Sequence, residues 1–292
     1  MSGEAIAIRG LVKTFPNFKL GPLDLTVPAG AIYGLIGPNG AGKTTTIDLV
    51  MGMGAKDSGD IRVFGLDHLR EEVAVKRQIG YFSPDVMYNA WGKVSRLVGF
   101  IRSFYPDWDD AYCTDLMRRL KIGWGDKIAT LSFGARTKLG LLLALSHRPA
   151  LLLLDEPFSG LDAVSKQEIL TELLDAVQDE NRTVLISSHD LHDLERFTDH
   201  IGMIHNGKLL LDGPTDRLVE RFRMVDCAAG DGGLDGVPGV YPQRREGTRL
   251  RLLVDLSVTP LESLETRGAA ELVAAPVTLE ELFVGLVKER RN

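Results

Sequence analysis

The segment Gly37-Pro38-Asn39-Gly40-Ala41-Gly42-Lys43-Thr44-Thr45 constrains this chain most. It fits the pattern GxxxxGK(S/T) and stands between a strand-like and a helix-like stretch. Upstream, Ala31-Ile32-Tyr33-Gly34-Leu35-Ile36 is short, apolar and rich in strand formers, whereas Thr46-Ile47-Asp48-Leu49-Val50-Met51 places apolar residues at helical spacing. Glycines let backbone N–H groups converge on phosphate oxygens with no Cβ in the way, and the following helix turns its positive dipole end toward the same charge. The run therefore reads as a phosphate-binding loop in which Lys43 neutralises β- and γ-phosphates and Thr44 supplies a hydroxyl to Mg²⁺.

With 292 residues, 44% of them hydrophobic and 25% charged, the chain has globular composition and room for one large core or two unequal ones. The apolar runs at 139–145 and 151–154 are separated by Ser146, His147, Arg148 and Pro149. Both fall short of the ~20 residues that span a bilayer, so the chain is expected to be soluble. No basic segment followed by an apolar stretch opens the sequence, and no secretion is expected. Cys113 and Cys227 lack metal-ligand spacing and read as small buried residues in a reducing compartment. The net charge of −6 argues against a nucleic acid partner.

Residues 1–30 predict an antiparallel β layer that contains Phe15. From about 85 to 147 the periodicity becomes helical, with candidate helices at 94–101 and 113–120, an inserted helical subdomain. Strands at 151–154 and 183–186, around a helix at 165–177, predict a βαβ unit of a parallel sheet whose ligand loops lie at the strand carboxyl ends. After Gly213-Pro214, the stretch from Asp226 to Gly239 reads as linker or loop. A strand at 247–256 and helices at 260–266 and 279–290 then predict a small α+β module. The expected division is 1–213 and 214–292.

Four further elements carry chemistry. Leu151-Leu152-Leu153-Leu154-Asp155-Glu156 is an apolar strand tipped by two carboxylates, which cost several kcal/mol if buried without compensation. Mg²⁺ would compensate them, with Asp155 on the metal side and Glu156 as the base that orients an attacking water. Ser187-Ser188-His189-Asp190 ends the next strand, which would bring His189 beside Glu156. Ser159-Gly160-Leu161-Asp162 is a turn just after the carboxylates. Leu131-Ser132-Phe133-Gly134-Ala135 opens a helix in the helical insert and makes a second anion site, suited to a nucleotide held by a partner.

With these elements in this order, the chain resembles ATP-binding cassette (ABC) proteins, the ATPase subunits of membrane transporters, over about residues 4–215. The resemblance implies an α/β P-loop NTPase core with an antiparallel β subdomain and an inserted helical subdomain. It implies that Gly37–Thr45 cradles ATP, that Phe15 stacks on adenine, and that Thr44 and Asp155 hold Mg²⁺. Two cassettes, copies or relatives, would sandwich two ATP molecules, with Ser132 and Gly134 touching the ATP of the other subunit and Asp162 in the loop between them. Integral membrane permease subunits would be the partners, with the chain peripheral on the cytoplasmic face of the membrane. Phe104-Tyr105-Pro106-Asp107-Trp108-Asp109 resembles the subgroup of separately encoded bacterial cassettes of multispan permeases, often exporters; as a plain alternative, these rings fill the helical subdomain.

Two departures bear on catalysis. Pro84, followed by Asp85, stands where the family has a glutamine that touches Mg²⁺ and water, and Asp85 is the candidate substitute. The signature has Phe133 for a glycine and Ala135 for a glutamine. Just beyond, Met87, Tyr88 and Trp91 read either as core or as a groove that receives a short helix from the membrane subunit. The alternative functions are a non-transport ABC ATPase and a regulatory subunit that holds ATP without hydrolysing it; the latter leaves Glu156 and His189 without a role.

Overall fold

A computed structural model describes residues 3–180, 182–228 and 234–289. In chain order the elements are strands β1 (Glu4–Phe15), β2 (Phe18–Pro28) and β3 (Ile32–Ile36), helix α1 (Lys43–Val50), strands β4 (Ser58–Val63) and β5 (Leu66–Asp67), helix α2 (Glu72–Arg77) and strand β6 (Ile79–Phe82). Helices α3 (Val94–Arg102), α4 (Asp110–Arg119) and α5 (Phe133–Leu145) form the helical insert. Then come β7 (Leu151–Leu154), α6 (Ala163–Glu180), β8 (Thr183–Ser188), α7 (Leu191–Glu195), β9 (His200–His205) and β10 (Lys208–Pro214). The chain ends with α8 (Thr215–Arg221), β11 (Phe222–Ala228), β12 (Val240–Glu246), β13 (Arg249–Asp255), α9 (Leu261–Thr266), β14 (Ala270–Pro276) and α10 (Leu279–Glu289).

The central sheet runs β10-β9-β3-β8-β7-β6, parallel except for β10. Strands β3, β7 and β8 are buried at every position, as expected of strands covered on both faces. Because β8 lies between β3 and β7, the loops after all three open side by side at one sheet edge. The expected antiparallel layer is the sheet β2-β1-β4-β5, whose buried residues Ile6, Ile8, Leu23 and Leu25 pack with Ile47 and Val50 of α1.

A third sheet, β12-β13-β11-β14, is antiparallel. One face packs Val225, Leu250 and Val254 against Leu264 of α9; on the other, a Cβ added to Gly285 of α10 would stand 2.6 Å from Leu253. The linker reading of Asp226 to Gly239 is therefore corrected at both ends: Asp226–Ala228 complete β11, and Leu234 and Val237 are buried in the core of this sheet. Residues 229–233 lie outside the described residues. Strand β12 contains Pro242, which an edge strand tolerates because it need not donate inward. One apolar cluster crosses residue 213: Ile201, Met203 and Leu218 share it with Phe222, Met224, Val277 and Leu282. No helix among the described residues is long and apolar enough to cross a membrane.

Candidate active site

The phosphate loop follows β3 and is shaped by close backbone contacts. The Gly37 N–H donates to Ser188 O on β8 (3.2 Å), and a Cβ at Gly37 would stand 2.2 Å from Ile204 O. Gly40 and Gly42 adopt φ of +77° and +111°, which favour glycine. Gly42 caps α1 with no side-chain hydrogen bond, leaving the first N–H groups of the helix pointing into the loop. Lys43, only 5% exposed, folds its ammonium over the same loop. Its Nζ donates to Gly37 O (2.7 Å) and Pro38 O (3.2 Å) and lies 3.1 Å from Glu156 Oε1.

Asp155 and Glu156, at the end of β7, take different partners. Asp155 is 3% exposed; its Oδ2 accepts from the Thr44 hydroxyl (2.8 Å) and its Oδ1 from the Ser187 hydroxyl (2.6 Å). Burial pushes the Asp155 carboxyl above its usual range, against the pull of those two donors. Glu156 is held at φ +46°, a left-handed conformation costly for a non-glycine residue. Its N–H donates to Ser187 Oγ (2.9 Å), and its Oε2 lies 2.8 Å from His189 Nδ1. Lys43, Glu156 and His189 thus meet around one carboxylate, and Thr44 and Asp155 meet beside it. Hard oxygen donors at a buried carboxylate beside the Thr44 hydroxyl suit Mg²⁺. No group of three or more His, Cys, Asp or Glu side chains forms a metal cage among the described residues, and Mg²⁺ needs none when phosphates and waters complete its shell.

The sequence reading missed Ser187, whose single hydroxyl donates to the Asp155 carboxylate and accepts from the Glu156 backbone N–H, and Phe18. Phe15 ends β1 with its ring 42% exposed, 6.2 Å from the Phe18 ring and under the Lys13 ammonium at 5.4 Å. A Cβ on Gly42 would stand 3.1 Å from Phe18, so the two rings lead directly from the phosphate loop. Near Pro84, Asp85 is exposed and its N–H meets Ser83 Oγ at 3.3 Å. Burial and then the Asp155 and Asp85 carboxylates push Asp48 up, while the Tyr81 hydroxyl bonds to it. Tyr81 itself is pushed up to about 12, chiefly by burial. Asp48 sits one turn after Thr44, a spacing that could have marked it.

Ser132, Gly134 and Asp162 gather elsewhere. Ser132 caps α5 by accepting from Ala135 N (3.2 Å), and Asp162 accepts from Ser165 N (2.9 Å) and Ser165 Oγ (2.8 Å). A Cβ on Gly134 would stand 3.0 Å from Ser165 Oγ, and one on Gly160 3.3 Å from the Phe133 ring. No hydrogen bond or ion pair among the described residues joins this group to Lys43, Glu156 or His189. A cleft lined by Phe82, Pro84, Met87, Tyr88 and Phe133 lies between the two groups in sequence, but Trp91 does not line it: its ring stacks on Phe100 at 4.1 Å.

The family model described as "ABC transporter" matches residues 20–159, and one described as "AAA domain, putative AbiEii toxin, Type IV TA system" matches 127–192. The chain is 35% identical over 224 residues to the ABC transporter ATP-binding protein YtrB of Bacillus subtilis, covering 76% of each protein. It is 33% identical over 242 residues to the daunorubicin/doxorubicin resistance ATP-binding protein DrrA of Streptomyces peucetius, covering 77% of this chain and 72% of the relative. In fold it is similar to a solved ATP-binding subunit of an ABC transporter, with a TM-score of 0.67 at 24% identity over 74% of this chain and 92% of the other. The chain belongs to the ABC transporter ATP-binding proteins: it is an ATP-binding ATPase subunit that powers transport by a separate membrane permease.

Proposed function

We propose that Glu156 is the general base of this ATPase, that His189 and Lys43 hold it in place, and that the ATP phosphates lie over Gly37–Thr45. The observation that carries this reading is the Glu156 carboxylate, strained at φ +46° and held between His189 Nδ1 and Lys43 Nζ. The Lys43 ammonium exchanges the Gly37 and Pro38 carbonyls for phosphate oxygens, while Glu156 accepts a hydrogen bond from the attacking water and orients it in line. Thr44 and Asp155 hold Mg²⁺, which when bound neutralises charge on the β- and γ-oxygens. Ser187 fixes the angle between the two acids, and Phe15 offers its face to adenine.

Ser132 and Gly134 serve the nucleotide of a second cassette, with Asp162 in the loop between the subunits. The cleft at Met87 and Tyr88 receives the permease, so the chain works on the cytoplasmic face of the membrane. YtrB is named for an ABC transporter, and DrrA for daunorubicin/doxorubicin resistance; export is the direction of transport we propose here. Light scattering on Glu156→Gln with ATP should show the mass double, and Ser132→Arg in that background should abolish the doubling. A monomer under all conditions, including with permease supplied, would remove the sandwich.

A further inference from the structure

His189 stands on a segment too short to hold itself in place. Helix α7 (Leu191–Glu195), which follows Ser188-His189-Asp190, has only five residues, fewer than an isolated helix needs to persist, so its position comes from what it packs against. Its first turn is tied to the end of β8: Asp190 accepts from His192 N (3.1 Å), and the Asp190 N–H donates to Ser188 Oγ (3.0 Å). Just after the helix, the Phe197 ring meets Phe158 edge to face at 6.2 Å, two residues beyond Glu156. The segments that carry His189 and Glu156 therefore touch twice, at the 2.8 Å contact between the two side chains and again at these rings.

The last helix of the chain, α10, packs against α7. Leu191 and Leu194 of α7 share one apolar cluster with Leu279 and Leu282 of α10, and all four are buried. At the exposed rim of this contact, His192 Nε2 lies 3.3 Å from Glu280 Oε2. Phe283, one turn after Glu280 on the same face of α10, sets its ring against that of His205 at 6.3 Å, at the end of β9. Elsewhere on α10, the Gly285 carbonyl accepts from Gln243 Nε2 of β12 (3.2 Å), and Leu253 of β13 leaves no room for a Cβ at Gly285. One helix thus stands between the C-terminal sheet and the segment that carries His189.

We propose that α10 is a strut for His189 and that Glu280 is a positioning residue for hydrolysis: the helix fixes how α7 presents His189 to Glu156, and the Glu280–His192 pair fixes the register of the two helices. This role rests on the one proposed above for His189 and deepens it. The buried leucines supply the attraction between α7 and α10, but apolar packing is non-directional and tolerates small slides, whereas a hydrogen-bonded pair at the rim selects one setting. An exposed pair contributes little to stability, so its loss leaves the fold standing. The effect falls on turnover and spares ATP binding. Among the described residues, no hydrogen bond or ion pair joins Gly37–Thr45 to α7 or α10, and the path from Glu280 reaches the site only at His189.

The test uses the full chain. Glu280→Ala and His192→Ala should each lower kcat roughly two- to fivefold, with KM for ATP and the thermal midpoint unchanged, and the double variant should cost no more than either single one. Glu280→Gln, which keeps an acceptor oxygen at the same reach, should restore the rate. In spectra of the chain with isotope-labelled histidine, the His189 ring resonance, assigned by its loss in His189→Ala, should move in Glu280→Ala and return in Glu280→Gln. A contact that serves stability alone would lower the thermal midpoint and leave that resonance in place. Wild-type kcat in Glu280→Ala, or an unmoved His189 resonance, overturns the strut; where His189→Ala itself slows hydrolysis, the role of His189 survives that result. Wild-type turnover in His189→Ala overturns both.

Discussion

Arg221 joins the nucleotide core to the C-terminal sheet, and its removal should be costly in a way that depends on pH. Its Nε donates to Asp255 Oδ1 (2.8 Å) and its Nη2 to Oδ2 (2.5 Å), a two-point clamp on a carboxylate that is 1% exposed. Ser257 adds a hydroxyl bond at 2.6 Å and a backbone bond at 3.0 Å to Oδ1. Burial by itself would raise the Asp255 carboxyl, but Arg221 and Ser257 hold it below its usual range. Removing one partner of a buried pair costs about 3–5 kcal/mol; because the Arg221 side chain is 38% exposed, solvent screens part of that, and about 2–3 kcal/mol is expected. At roughly 2–4 °C per kcal/mol for a chain of this size, Arg221→Ala should melt about 5–10 °C lower at neutral pH. The sign with pH follows from the lowered native pKa. The unfolded chain binds the extra proton between the native value and about 3.9, so this stability is present above that range and is lost as pH falls through it. The gap between wild type and Arg221→Ala should therefore narrow as pH falls below about 4, and Arg221→Ala/Asp255→Asn should recover much of the loss. Differential scanning calorimetry across pH measures this; a gap below about 0.5 kcal/mol, or one constant with pH, refutes the clamp.

Three further outcomes follow from the contacts described. Ser187→Ala takes the Ser187 partner from Asp155 Oδ1 and from the Glu156 N–H together, so it should lower stability by about 2–4 kcal/mol and cut hydrolysis, with Ser187→Thr restoring part of both; thermal melts and steady-state rates check it. Leu282→Ala opens a cavity in the cluster shared across residue 213 and should cost about 2–5 kcal/mol, read from urea unfolding as one transition for the whole chain. Two separate transitions would mean that the C-terminal part folds alone. Lys43→Ala should abolish measurable ATP binding by calorimetry, because it removes the only buried ammonium at the loop among the described residues.

What the sequence made legible was local. Gly37–Thr45 and the apolar strand ending in Asp155-Glu156 are contiguous, and their chemistry is carried by residue type and spacing, so the parallel sheet and its edge of loops could be read directly. The contacts that finish the site join distant positions. Ser187 reaches Asp155 and Glu156 from 32 and 31 residues away, and Phe18 meets Gly42 only because β2 folds over the loop. Nothing in a lone Leu-Asp-Glu run announces that Glu156 will take φ +46°. The C-terminal part was harder for a different reason. Glycine and aspartate between 226 and 239 masked the inward alternation of Val225 and Cys227, and the edge strand β12, with Pro242 in it, went unread. The apolar residues of α8 and α10 look self-sufficient in sequence; tertiary packing joins them to Ile201 and Met203.

The most direct test of the account is single-turnover hydrolysis by Glu156→Gln beside its ATP affinity. Glutamine keeps the shape of the side chain between Lys43 and His189 but cannot take up a proton. Hydrolysis should fall at least ~10²-fold, the scale of a positioned base, while ATP binding stays near wild type because Gly37–Thr45 is untouched. Turnover within a few-fold of wild type at equal ATP occupancy would contradict the account and remove Glu156 from the chemistry.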